Sequence, residues 1–196
     1  DMSGQYSHES GEGAVTAVKM AVEDFGGKVL GKPIEVVVAD HQNKPDIASA
    51  LARKWFDVEK VDMIANLINS SIALGVSQLA KEKDRIAIVN GSGSSRLTND
   101  ACTPNSIHYA YDTYALAKGT GAALLKAGEK SWYFLTADYA FGHALESDTS
   151  AIVKALGGEV VGSVRYPPET FDQSSFLLKA QASKAQVVAL AGSGTV

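Results

Sequence analysis

Scarcity is the first guide to this sequence. Its single cysteine, Cys102, excludes any internal disulfide. Thr103 and Pro104 beside it offer no basic group to lower a thiol pKa, and Cys102 reads as a spectator rather than a nucleophile. Positive charge is not in excess: 18 Lys and Arg against 22 Asp and Glu leave a net charge of −4, which argues against nucleic acid or an anionic membrane as partner. No apolar run reaches the roughly 18 residues that a membrane-spanning helix requires, so no direct membrane insertion is expected. No signal-peptide pattern is present, which leaves a cytosolic chain or a processed one.

Chemical motifs are equally sparse. The four histidines, His8, His41, His108 and His143, are far apart and share no ligand spacing, so no metal is expected. Gly91-Ser92-Gly93 places Arg96 where a dinucleotide fingerprint needs its third glycine, and no phosphate-loop or nucleophile-elbow motif occurs. No cofactor is expected. Asp40-His41, after an apolar run, could form a catalytic pair, but also suits an ordinary strand-end turn. The Asp138 and His143 pair invites the same two readings.

What is present is alternation. Apolar residues make up 45% and charged residues 20%, as in a soluble globular protein. Helical spacing of Val15, Val18, Val22 and Phe25, stopped by Gly26-Gly27, is followed by a strand-like run at 34–39. A helix from Pro45-Asp46, a strand at 63–66, a helix carrying Ile72, Val76 and Leu79, and a strand at 86–89 come next. The pattern lapses at 97–106 and resumes with a strand at 107–111 and a helix at 114–126 capped by Asp112. Strands at 132–136, 159–165 and 187–191 alternate with helices at 141–156 and 175–184. This predicts an α/β fold of two doubly wound lobes with parallel sheets, split into 1–111 and 112–196 about a hinge at 106–113. The turn-like runs at 1–4 and 192–194 have no strand before and no helix after them, so both lobes are expected to be incomplete. The first is expected to lack its first strand, and the chain to be part of a longer polypeptide.

Two polar turns stand out. Asn69-Ser70-Ser71 and Gly91-Ser92-Gly93-Ser94-Ser95 each lie between a strand-like run and a following segment, at the carboxyl edge where open α/β sheets bind ligands. Their hydroxyls and backbone amides suit a carboxylate, although Ser70 and Ser71 could equally cap the helix that follows. Tyr139 and Phe141 sit at a third such turn and could cover an organic acid from the other lobe, although Phe141 could also pack inward against Leu145.

At this point the chain resembles the branched-chain amino-acid-type periplasmic solute-binding proteins of ABC importers. Asp1-Met2-Ser3-Gly4, the 13–25 helix with Gly26-Gly27, Asn69-Ser70-Ser71, Tyr111-Asp112-Thr113-Tyr114 and Asp138-Tyr139-Ala140-Phe141-Gly142 carry the resemblance. These look most similar to the subgroup associated with aromatic acids, over about half of a usual member. The resemblance implies a type I two-lobed clamp that closes on a small carboxylate without chemistry, in the periplasm, and delivers it to a membrane permease. It implies ligand contacts from Asn69, Ser70, Ser71, Ser92, Gly93 and Ser94, with an aromatic at Phe141 covering the ligand. Asn69 stands where leucine-type members carry a hydroxyl, which fits an α-amino acid less well. A ligand-sensing input domain of the same fold, and an α/β enzyme using Asp40 and His41, are the alternatives.

Overall fold

The computed structural model describes residues 1–109 and 111–193. A short helix, α1 (Ser7–Ser10), leads into α2 (Glu12–Asp24). Gly26 and Gly27 end α2 at φ 92° and 69°, a left-handed conformation that disfavours side-chain-bearing residues, and the Gly27 amide returns to the Val22 carbonyl at 2.8 Å. An antiparallel hairpin that the sequence reading did not anticipate follows: β1 (Lys28–Val29) and β2 (Lys32–Pro33). Leu30 and Gly31 turn between them, both at positive φ, as a tight two-residue connection requires.

The 34–39 run was expected to be a strand, yet it joins no sheet among the described residues. A strand needs lateral backbone partners as well as apolar side chains. Here Val36, Val37 and Val38 stay 38–46% exposed. Beside them lies a cavity of about 250 Å³, walled by Val15, Val18 and Val22 of α2, by the run itself, and by residues 63–67 on the far side.

The first parallel sheet orders β3 (Met63–Ile64), β4 (Ile86–Val89) and β5 (Ser106–His108). Helix α3 (Pro45–Asp57), with proline in its first turn where no N–H is missed, and α4 (Ser70–Glu82) cover one side. Ala52 and Phe56 of α3, Ile72, Val76 and Leu79 of α4, and Ala87 and Val89 of β4 form one buried cluster. In the expected loop at 97–106, residues Ser95–Leu97 form a single 3-10 turn at its start. The strand expected at 107–111 begins one residue earlier and ends at His108; Ala110, within the expected hinge, lies outside the described residues.

Helix α5 (Thr113–Leu116), a π segment (Ala117–Gly121) and α6 (Ala122–Lys126) run as one continuous helix. Asp112 caps it as expected, its Oδ1 accepting from the Ala115 amide at 2.7 Å. The second sheet places β6 (Ser131–Ala137) between β7 (Glu159–Tyr166) and β8 (Val187–Ala191), all parallel. Helices α7 (Ala140–Ala155) and α8 (Ser174–Ser183) make the crossovers. Alternation along β6 feeds two separate clusters. Trp132 and Phe134 pack with Leu125 and Val153, whereas Leu135 and Ala137 pack with Tyr166 and Ala180. The expected turn at 192–194 falls partly outside the described residues.

Candidate functional site

Because β3 and β4 are adjacent and parallel, the turns that leave their carboxyl ends converge. The Ser94 amide donates to Ser70 Oγ at 3.3 Å, and the Gly91 and Ser92 amides donate to the Leu67 carbonyl at 3.3 and 3.1 Å. Asn69 is the cap of α4: its Oδ1 accepts from Ser71 N at 2.8 Å and Ile72 N at 3.3 Å, while its Nδ2 donates to Asn43 Oδ1 at 2.8 Å. The helix therefore begins at Ser70, and neither serine caps it. Ser92 Oγ donates to the Leu67 carbonyl at 3.0 Å.

Three hydroxyls differ from these. Ser70 Oγ and Ser71 Oγ each accept one bond, the latter from the Ala140 amide at 3.1 Å, and neither donates one among the described residues. Ser94 is fully buried, and its Oγ has no hydrogen-bond partner there at all. A buried hydroxyl without a partner costs about 1–3 kcal/mol, so its presence at a converging pair of turns calls for a reason.

An aromatic cluster stands against this corner. A Cβ placed on Gly93 would lie 2.7 Å from Tyr111 Cε2 and 2.9 Å from Phe141 Cε2, so only glycine lets the turn approach the two rings. Phe141 meets Tyr111 edge-on with centroids 6.5 Å apart, and Tyr139 with centroids 6.1 Å apart. Phe141 is also part of the core beside Leu135 and Leu145, the inward packing that its spacing from Leu145 suggested. The Tyr6 hydroxyl donates to Tyr139 Oη at 2.8 Å and lies 3.2 Å from the Ser193 carbonyl. Burial pushes the Tyr139 phenol far above its ordinary pKa, and Tyr6, Tyr111 and Tyr166 are raised as well, chiefly by burial. The cluster is neutral and protonated at any physiological pH. Sequence reasoning found Tyr139 and Phe141 but missed Tyr6, Tyr111 and Tyr166. For Tyr6 a signal did exist, since it directly follows the turn-like run at 1–4.

Asp40 and His41 bond to the turns around them. Asp40 accepts from the amides of Met2 at 2.9 Å and Gln42 at 2.8 Å and from the Ser3 hydroxyl; these bonds, the Ser3 hydroxyl foremost, hold its pKa down at about 2. His41 lies 3.0 Å from the Asp1 amino group through Nε2 and accepts from Asn43 N through Nδ1 at 3.1 Å. Burial, more than the neighbouring ammonium, lowers it to about 4. His143 Nε2 pairs with Asp138 Oδ1 at 2.7 Å in a solvent-facing pair. Cys102 is exposed. No helix is long and apolar enough to cross a membrane among the described residues.

Two parallel α/β sheets, with serine and glycine turns on one meeting aromatic residues at the edge of the other, define a type I two-lobed binding fold. The family model described as "Periplasmic binding protein" matches residues 1–196, and the chain belongs to that family. It is similar to a periplasmic binding protein from Burkholderia mallei, with 58% identity and a TM-score of 0.95 over 99% of this chain and 52% of that one. A solute-binding protein of an ABC transporter from R. palustris, solved in complex with benzoate, is 28% identical with a TM-score of 0.86, covering 98% of this chain and 53% of that one. The Leu/Ile/Val-binding protein homolog 6 of Brucella abortus is 28% identical over 167 residues, 84% of this chain and 42% of that protein. The chain thus spans about half the length of the relatives it matches.

Proposed function

We propose that this chain carries the carboxylate-holding half of an extracytoplasmic receptor for an ABC importer. It captures a small organic acid between its lobes and delivers it to a membrane permease without making or breaking a bond. The observation that carries this reading is the buried Ser94 hydroxyl, which has no partner among the described residues, in a turn bonded to Ser70 Oγ; Ser70 and the adjacent Ser71 accept bonds but donate none there. Three such protons converging on one carboxylate would supply charge-assisted bonds of about 1.5–3 kcal/mol each, enough to hold an anion without a lysine or arginine. In this reading Asn69, Ser92 and Gly93 shape the cradle, and Tyr139 and Phe141 cover the ligand. The division into lobes at 1–111 and 112–196, with a hinge at 106–113, supplies the closing motion.

An aromatic acid is the preferred ligand. Phe141 with Tyr139, Tyr111 and Tyr6 offers edge and face contacts that a flat ring satisfies better than a branched aliphatic chain. The benzoate complex of the R. palustris relative supports that preference, while the name of the Brucella relative points to leucine, isoleucine and valine. Equilibrium titration of the full-length polypeptide with benzoate, 4-hydroxybenzoate and leucine tests both points. The benzoates are expected to bind more tightly than leucine, and Ser94→Ala to weaken them by roughly 10- to 100-fold. Unchanged affinity in Ser94→Ala would remove the cradle from the site.

A further inference from the structure

Thr113 is the first residue of α5 and is completely buried, yet it does not cap that helix, since Asp112 already does. Its polar atoms point elsewhere. The Thr113 amide donates to the Gly93 carbonyl at 2.7 Å, and Thr113 Oγ1 accepts from the Ser95 amide at 3.0 Å. The same hydroxyl gives its one proton to Asp148 Oδ2 on α7 at 2.6 Å, a short charge-assisted bond. A hydroxyl whose proton is committed to a carboxylate has only lone pairs left for its second neighbour, so the geometry is directional. Thr113 therefore grips the polar turn at the residues on either side of Ser94 and fastens that grip to α7.

Helix α7 is anchored to both turns. Its first amide, Ala140 N, donates to Ser71 Oγ in the other turn, a position for which α7 has no side-chain cap of its own. The same helix carries Phe141, and Tyr139 stands at its N-cap. Any shift of α7 against the first sheet must strain or release contacts to both hydroxyl turns together.

We propose that Thr113 is a positioning residue which, through Asp148, couples the orientation of Ser94 to the docking of α7. The inference rests on the reading of the 93–95 turn as an anion cradle. Removing the hydroxyl would leave the Ser95 amide without its acceptor, and the turn that aims Ser94 would loosen. The ligand is then held less well although Thr113 itself touches no ligand atom.

The test uses the full-length polypeptide and four variants: Thr113→Val, Thr113→Ser, Asp148→Ala and Ser94→Ala. Amide hydrogen exchange at Ser95, in the absence of ligand, is expected to quicken at least about tenfold in Thr113→Val, to quicken less in Asp148→Ala, and to return to near its original rate in Thr113→Ser. Benzoate affinity is expected to fall about tenfold in Thr113→Val and to recover in Thr113→Ser. Adding Thr113→Val to Ser94→Ala should cost no more than about a further twofold, because the residue acts through Ser94. Full additivity of the two substitutions, or unchanged Ser95 exchange in Thr113→Val, overturns the proposal. A protein that binds no carboxylate sinks the receptor reading alone, and Ser95 exchange then decides the coupling by itself.

Discussion

The two parallel sheets are built from the same alternation of strand and helix, yet the described residues bury them to different degrees. In the second, β6 has a parallel neighbour on each side, and its side chains alternate into two buried clusters. In the first, β3, β4 and β5 share one cluster on the α3–α4 side, whereas α2 buries no residue fully and the valine-rich 34–39 run faces a cavity. Val36, Val37 and Val38 have as much intrinsic strand preference as Val187 and Val188, but only the latter pair lies in a ladder. Strand preference describes a side chain's fit to a half-buried pleated surface. Among the described residues the 34–39 run has no neighbouring backbone, and so no such surface to fit.

This contrast predicts that stability is concentrated in the second sheet and in the α3–α4 cluster. The largest effect is expected from Phe134→Ala: Phe134 is 1% exposed at the centre of β6, and its loss should cost about 3–5 kcal/mol by denaturant unfolding. A cost below about 1 kcal/mol would show the second sheet to be as loosely finished as the first.

A smaller effect is expected at the open edge, from pH. Burial holds His41 at about 4, against 6.5 for a free imidazole, so the unfolded chain binds the proton more readily. Its contribution to stability is full above pH 6.5 and is lost as the pH falls from there towards about 4. Since the ring is partly exposed, solvent screening leaves an effect of about 1 kcal/mol. Thermal unfolding of His41→Gln beside the unsubstituted protein at pH 7.5 and 4.5 isolates it, because the gap between them should narrow in acid. The smallest effect is expected from Val37→Ala, within about 0.5 kcal/mol, because the side chain is 43% exposed and belongs to no ladder among the described residues. A loss approaching that of a buried valine would erase the comparison.

Much of this architecture was readable because its signals are local. Gly26-Gly27 announced the end of α2, Pro45 the start of α3 and Asp112 the cap of α5, each through backbone rules acting over a few residues. The β1–β2 hairpin was also local, but its two-residue turn is Leu30-Gly31 rather than a familiar Asn-Gly pair, and it was overlooked. The cap of α4 was misplaced by one or two residues: Asn69, not a serine, satisfies its first amides. Serine and asparagine cap equally well in sequence terms, and only the bond from Asn69 to Asn43 favours one over the other. Tyr6, Tyr111 and Tyr166 could not be joined to Tyr139 by any spacing rule, since up to 133 residues separate contacting hydroxyls.

By itself, then, the sequence determined the order of helices and strands from Pro45 onward, the parallel sheets and the adjacency of two hydroxyl-bearing turns, since those follow from hydrophobic period and short-range backbone chemistry. Tertiary structure alone decided which hydroxyls still have a proton to give. Ser70, Ser71, Ser92 and Ser94 are indistinguishable as letters, yet Ser92 is committed to Leu67 while Ser94 is buried with no partner among the described residues. The physical reason is that a hydrogen bond is a matter of distance and direction between groups far apart in the chain, and no local pattern encodes which neighbour arrives first.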